Sequence, residues 1–373
     1  MIITILVSVL IGYVYEDADS LIVIDDSLVI CGTHQYNIKV HITNKGILKV
    51  TQWSGAADST GWLLLNAPLI LIQDSSSING SKTGYMGGNN THRDGYGPGY
   101  GEAGSISGGA GGGAGYGGNG GNGSGIPGMG GNPYGNNSDT LIEMGSGGGA
   151  GRLGAVEGFG GNGGANIYLR TQKINIDSSY IETNGENGDS AGIVAGGGGS
   201  GGGIMIWADS TVIHNSEINA DGGEGGHADI YGGYGGGGAG GGRIKIFYTT
   251  SLDTSDIVLS VQGGAEGTGG WENGEPGMPG SIHIELITGI TEIANKVTEN
   301  FFIYPNPVKD IAKITCANTP LKLHLYDISG RIVKTIWLKN NTEFVRLNDL
   351  KQGIYFLKSN EENKPAHKII LLK

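Results

Sequence analysis

Cysteine is nearly missing from this chain. The two that occur in 373 residues, Cys31 and Cys316, stand in different regions with neither metal-ligand spacing nor a disulfide framework, so both are expected as free thiols. Positive charge is also scarce: 23 Lys and Arg face 35 Asp and Glu, for a net charge of -12. The few cations concentrate after about residue 290 instead of forming a basic stripe, which argues against nucleic acid as a partner. Long apolar runs are lacking too. The longest, from Ile2 to Val14, is too short to cross a bilayer as a helix and fits the apolar core of a secretory leader, read here as residues 1–18. No Lys or Arg precedes that run, and "EDADS" is a poor cleavage site, so the leader is expected to be incomplete at its start. The competing reading is a buried first strand.

What the chain has in abundance is glycine, 75 residues of it, beside 38% apolar residues. The two are segregated. Apolar residues come in short alternating bursts separated by glycine tracts, and from about residue 290 the glycine almost vanishes, which marks a domain boundary.

The bursts repeat. "ANIYLR", "GIMIW", "RIKIF" and "SIHIE" align on Ile167, Ile204, Ile244 and Ile282, at spacings of 37, 40 and 38 residues, each followed two positions later by Leu169, Ile206, Ile246 or Ile284. A second match, about 14 residues further on, centres on Ile181, Ile218 and Leu259, and an earlier copy carries Leu63, Leu65 and Ile78. "YNIKVHITNKGILKV" at 36–50 alternates with period two, turns at Asn44 to Gly46, and reads as first rungs near a cap. A unit of this size cannot bury its apolar face alone, so stacking is the economical solution. The expected architecture is all-β: a Gly-rich parallel β-helix or β-solenoid over 19–288, a linker at 289–300, and a small antiparallel β-sandwich over 301–373.

Ordering glycine is entropically expensive, so the tracts fold only if something offsets that cost. Lacking Cβ atoms, successive tracts can pair backbone to backbone as in polyproline II bundles, forming a second ridge beside the strands. The alternative is mobile protruding loops. Residues 84–164 are the least legible, read as one large insertion or a degenerate repeat, with "DTLIEM" at 139–144 as its clear strand.

The block 301–373 opens on Tyr304, Pro305, Asn306 and Pro307, continues through Tyr326, Asp327, Ser329, Gly330 and Arg331, and closes on Leu350, Gly353, Tyr355 and a basic end at Lys373. The prolines stiffen an extended start, and Asp and Gly stand where a hairpin turn wants them. These three ordered motifs closely resemble the type A C-terminal sorting domain of type IX secretion substrates from Bacteroidetes. The resemblance implies passage across the outer membrane by a dedicated secretion machinery, with the domain then commonly cleaved and the mature part anchored or released. The Gly-rich part resembles, more loosely, β-helical regions of bacterial surface proteins.

Catalysis on the outer face would need convergent groups. Arg170, Asp177, Glu182, Asp209, Glu217, Asp221, Arg243 and Lys245 are the outward candidates, but equivalent positions carry different residues, so a solvated face and no enzymatic role are expected. "NGENGD" and "NADGGEGGHAD" offer oxygen ligands for calcium without matching a nonapeptide calcium pattern, and no cofactor is expected. Among the aromatics of the tracts, Tyr231, Tyr234 and Trp271 are the candidate ligand contacts, since residues without side chains cannot cover them. The expected function is that of an exported structural or adhesin-like surface protein. The alternatives are a carbohydrate-binding protein and, after it, a β-helical polysaccharide lyase or hydrolase, with surface glycans or surface proteins as partners.

Overall fold

The computed structural model describes residues 12–55, 60–228, 231–287, 301–304, 308–316, 319–359 and 366–372. It is all-β and divides into two compact units, Met1–Ile287 and Thr288–Lys373. Residues 1–11 of the expected leader and the expected linker at 289–300 lie outside the described residues. The strand Tyr13–Glu16 pairs antiparallel with Ser20–Ile24.

In the first unit the aliphatic bursts become rungs of two parallel sheets. Trp62–Gln73, Asn166–Asp177, Gly203–His214, Arg243–Ser255 and Ser281–Leu286 lie side by side in one sheet. Leu63, Ile167, Ile204, Ile244 and Ile282 occupy one register position, and Leu65, Leu169, Ile206, Ile246 and Ile284 another. The second sheet stacks Leu48, Ile78, Ile181, Ile218 and Leu259 in the same way. Side chains alternate along a strand, so an unbroken register puts like aliphatics above one another between the sheets. Each fully buried Ile or Leu there contributes roughly 1.5–3 kcal/mol.

The corner between the sheets recurs as well. Asp25, Asn44, Asp74, Ser178, Asn215 and Asp256 all adopt positive φ, between 48° and 58°. Short polar side chains tolerate this left-handed region, and so the corner can turn without glycine. At 36–50 the predicted turn does fall at Asn44–Lys45, where the chain passes from one sheet to the other.

The glycine tracts are ordered and form a layered bundle. Along 197–202 the donors go in turn to Gly149, Gly237, Glu186, Ser146, Gly240 and Thr183, at 2.7–3.1 Å. Three successive N–H groups therefore address three different tracts, and the cycle repeats with period three, the geometry of a polyproline II helix. No Cβ fits between tracts this close: one added at Gly197 would stand 2.0 Å from the Gly112 oxygen, and one at Gly113 would stand 2.1 Å from that of Gly238. Backbone pairing leaves few buried N–H groups unmet, which is the condition for burying such a segment at all.

Residues 84–164 are one large insertion and not a degenerate repeat, since the strands before and after it, Trp62–Gln73 and Asn166–Asp177, pair directly. Their tracts extend the bundle: Gly111 donates to Ala195, Ala114 to Gly198, and Gly117 to Gly241. The predicted strand at 139–144 is absent; the segment is irregular, and three short antiparallel strands, Ser107–Gly109, Gly151–Leu153 and Ala155–Gly158, form elsewhere. The reason lies about a hundred residues away, at Lys245, described below.

The second unit has a three-stranded antiparallel sheet (Phe301–Tyr304, Ile311–Cys316, Thr342–Arg346) and a four-stranded one (Ile332–Leu338, Leu321–Asp327, Gly353–Ser359, Ala366–Leu371). Leu323, Leu325, Ile314, Leu338, Leu357 and Leu371 meet in one core. Neither Cys31, which is half-buried, nor Cys316, which is buried, is in a disulfide among the described residues.

Candidate functional site

Two of the residues expected on the solvated face are interior. Lys245 is 1% exposed, and its Nζ donates to the carbonyls of Asn136 (2.6 Å), Asp139 (3.0 Å) and Leu141 (2.7 Å) and to Asp139 Oδ1 (2.7 Å). Arg243 is buried beside it, donating to Ser281 Oγ (2.9 Å) and the Tyr134 carbonyl (2.9 Å), with its guanidinium over the Tyr116 ring. The segment 132–144 is thus a strap wrapped round two cations, and its carbonyls are consumed by Lys245 instead of by a neighbouring strand. That is why the apolar pattern of "DTLIEM" fails to form one. The Lys245 hydrogen bond holds the Asp139 carboxyl below its usual range, while burial pushes Glu143 up. Tyr134, in the strap, and Tyr116 have ring centroids 4.8 Å apart. Tyr116 Oη accepts from the Glu143 N–H at 2.9 Å, and Tyr134 Oη donates to the Met144 carbonyl. Both phenols are raised by burial.

The outward carboxylates are not gathered. Asp209 accepts from Thr249 Oγ1 (2.9 Å), Asp177 from Asn215 Nδ2 (3.3 Å), and Asp221 from Ser260 Oγ and the Gln262 N–H (both 2.6 Å); in each case the partner lies one rung along. Glu182 accepts from Asn79 at 3.1 Å and is raised by burial; Arg170 and Glu217 are exposed on separate rungs. In the turns considered for calcium, Asn184 Oδ1 accepts from the Asp221 N–H and Asn187 Oδ1 from the Glu224 N–H, which ties one tract to the next. Asp229 lies outside the described residues. Among the described residues no three His, Cys, Asp or Glu side chains converge where a metal ion could sit.

What the tracts do hold in common is a set of turns at one end. Leu153 pairs with Ser107 and Gly154 donates to the Ile106 carbonyl; Ile126 donates to Gly108 and accepts from Ser105. Gly125 has φ +80°, and a Cβ there would lie 2.9 Å from the Tyr234 ring. Tyr234 in turn meets Trp271 edge to face, centroids 5.7 Å apart, and Trp271 also lies against Gly232. From this linked set Ile106, Ile126 and Leu153 project into solvent, as do Trp271 (64% exposed) and Tyr231 (90% exposed). Of the three aromatics singled out from sequence, Tyr231 and Trp271 are presented outward and Tyr234 is half-buried, bracing Trp271. The aliphatic members were not anticipated. Their signal was available: "SISGG", "GIPG" and "GRLGA" each place one large aliphatic residue beside glycines, where little can cover it.

The motif residues of the second unit build a turn. Asp327 closes the strand Leu321–Asp327; its Oδ1 accepts from Ser329 Oγ (2.6 Å), Ser329 N (2.9 Å) and Arg331 N (3.1 Å). Its Oδ2 takes Arg331 Nε (3.0 Å) and Nη2 (2.9 Å), and Gly330 completes the turn at φ +80°. These bonds, that from Ser329 foremost, lower the Asp327 carboxyl to about 2. Tyr326 lies in the same strand as Asp327. Gly353 opens the strand Gly353–Ser359, in which the buried Tyr355 donates its hydroxyl to the Lys351 carbonyl at 2.7 Å. Tyr304 ends the strand Phe301–Tyr304, while Pro305, Asn306, Pro307 and Lys373 lie outside the described residues.

The repeating first unit is followed in the chain by a small antiparallel unit whose turn at 327–331 is locked by the Asp327 carboxylate. Residues 302–373 match the family model of the secretion system C-terminal sorting domain, the module of type IX substrates. The chain is therefore exported to the cell surface or secreted, and it engages the type IX machinery. No curated protein and no solved structure matches the chain.

Proposed function

We propose that this exported chain is a structural, adhesin-like surface protein without catalytic activity, in which the first unit is a β-solenoid carrying a polyglycine ridge that holds the turn cluster out to a partner. The observation that carries the reading is that cluster: five large apolar side chains exposed together on turns that are hydrogen-bonded to one another. Isolated exposed apolar residues need no explanation, but a linked set of them on loops held by a rigid scaffold supports an interaction surface. Flat rings at Tyr231 and Trp271 favour a glycan as the partner, because aromatic faces stack on sugars.

Binding of the purified chain to immobilised glycans and to intact cells tests this, with the Tyr231→Ala/Trp271→Ala double variant alongside. The expected result is a loss of roughly tenfold or more in the variant, the scale at which central aromatic anchors act. Equal binding by both chains removes the turn cluster from the function. Cell binding lost in the variant with no glycan retained by either chain replaces the glycan with a protein partner. Release of new reducing or unsaturated ends from polysaccharides would overturn the non-catalytic part of the reading.

A further inference from the structure

The two ends of the parallel ladder are finished differently. At the start, Tyr13–Glu16 lies antiparallel on Ser20–Ile24, and Leu21 and Val23 beneath it are fully buried. At the other end Ser281–Leu286 is the last strand, and among the described residues nothing pairs with its outer edge. Its Ile282 and Ile284 stand directly over Ile244 and Ile246, which are 0% exposed, yet they are 42% and 45% exposed themselves, and Leu286 is exposed with them. Residues belonging to the core column are thus left facing solvent on an unpaired strand. Proteins normally blunt such an edge with charge, proline, a bulge or a covering element. Here the outer face of the strand carries one charge pair, His283 and Glu285, 2.9 Å apart, with no proline.

The order of residues in this strand is self-complementary. We propose that the strand Ser281–Leu286 is an interface between two copies of the chain, pairing antiparallel with itself about Ile284. In that register Ile284 faces Ile284 of the second copy, Ile282 faces Leu286, and His283 faces Glu285, on both sides of the two-fold axis. Shifting the centre to Glu285 sets like charges opposite each other; shifting it to His283 sets the two imidazoles together and leaves Glu285 opposite Ser281. Directly opposed residues on one face of an antiparallel pair interact, favourably for aliphatic and opposite-charge pairs and unfavourably for like charges. A two-fold contact of this type is isologous and closed, so it ends at a dimer instead of a fibre. It also covers the Ser281–Leu286 edge of each copy at once, giving each exposed aliphatic a partner of its own kind.

Sedimentation of the full chain across a concentration series tests this. Dimer formation is expected, with Ile284→Asp raising the dissociation constant at least about tenfold, since two charges would then be opposed at the axis. Glu285→Lys should weaken association by setting Lys against His, and His283→Glu/Glu285→Lys should restore it by exchanging the charges. Ile284 and Glu285 are exposed in the single chain and His283 is half-buried at the outermost strand, so circular dichroism of the variants should match the parent. A chain that stays monomeric at all concentrations overturns the proposal, as does a dimer indifferent to Ile284→Asp. Failure of the charge exchange to rescue Glu285→Lys overturns the register. None of these outcomes depends on glycan binding, which resides at the turn cluster.

Discussion

Replacing Gly197 by alanine should break the ridge, and replacing Gly192 should not. A Cβ at Gly197 would lie 2.0 Å from the Gly112 oxygen and 2.4 Å from its carbon, both backbone atoms that cannot swing aside. Relieving the overlap needs a separation of about 1 Å, which takes backbone bonds of 2.9 Å beyond useful hydrogen-bond range. Three bonds converge there: Gly197 N to Gly149 O, Gly149 N to Gly112 O, and Gly112 N to Glu102 O. Each buried group left unmet costs about 1–3 kcal/mol. Against that, alanine stiffens the unfolded chain by about 0.4–1 kcal/mol. The expected net loss is about 2–8 kcal/mol, a large fraction of a typical domain's stability. At Gly192 nothing lies within 4 Å of an added Cβ and φ is ordinary, so only the unfolded-state effect remains and the variant should gain about 0.4–1 kcal/mol. Urea unfolding followed by tryptophan fluorescence reads the right unit, since Trp53, Trp62, Trp207 and Trp271 all lie in the first and only Trp337 in the second. Equal midpoints for Gly197→Ala and the parent, or an equal loss at Gly192, would refute close tract packing as the reason for glycine.

Lys245→Met keeps the volume and removes the cation, leaving three carbonyls and the Asp139 carboxylate without their donor. The expected destabilisation is about 2–5 kcal/mol, with new protease cleavage between residues 132 and 144; a loss under about 1 kcal/mol with the strap still protected would show that Lys245 does not hold it. In the second unit the folded Asp327 carboxyl lies at about 2, below its ordinary 3.8. A depressed carboxyl contributes stability that is present above the ordinary value and is lost as pH falls through the folded one, so the turn should loosen between about pH 4 and pH 2. An NMR titration of Asp327 with a midpoint near 4 would contradict this, and Asp327→Asn should remove that step of the pH dependence.

Much of the ladder was readable from the sequence. Ile167, Ile204, Ile244 and Ile282 were aligned by spacing alone, and they share one register because a period-two pattern with one buried face admits no slip. Asn44 marked a true corner. The tracts were harder: glycine spells out no direction, so the period-three cycle of donors appears only once three neighbouring tracts are in place. Arg243 and Lys245 alternate with Ile244 and Ile246 and so read as outward, which they are; a strap from a hundred residues upstream covers them, and no local pattern announces it. The same holds for the tyrosines. Tyr116 and Tyr231 sit in similar glycine surroundings, yet one is a buried brace and the other is almost fully exposed. In the sorting unit the Asp327 to Arg331 turn was legible because its residues are contiguous and each has a local role.

The threefold cycle of donors has a consequence for how such a chain can change length. Each residue along a tract rotates the next N–H by about 120°, so adding or deleting one glycine turns every later donor away from its acceptor. Gains and losses of sequence in the ridge should therefore come in steps of three, while those in the adjoining strands come in steps of two. A lineage of related chains would carry both rhythms in its alignment gaps, one for the tract and one for the strands of every repeat.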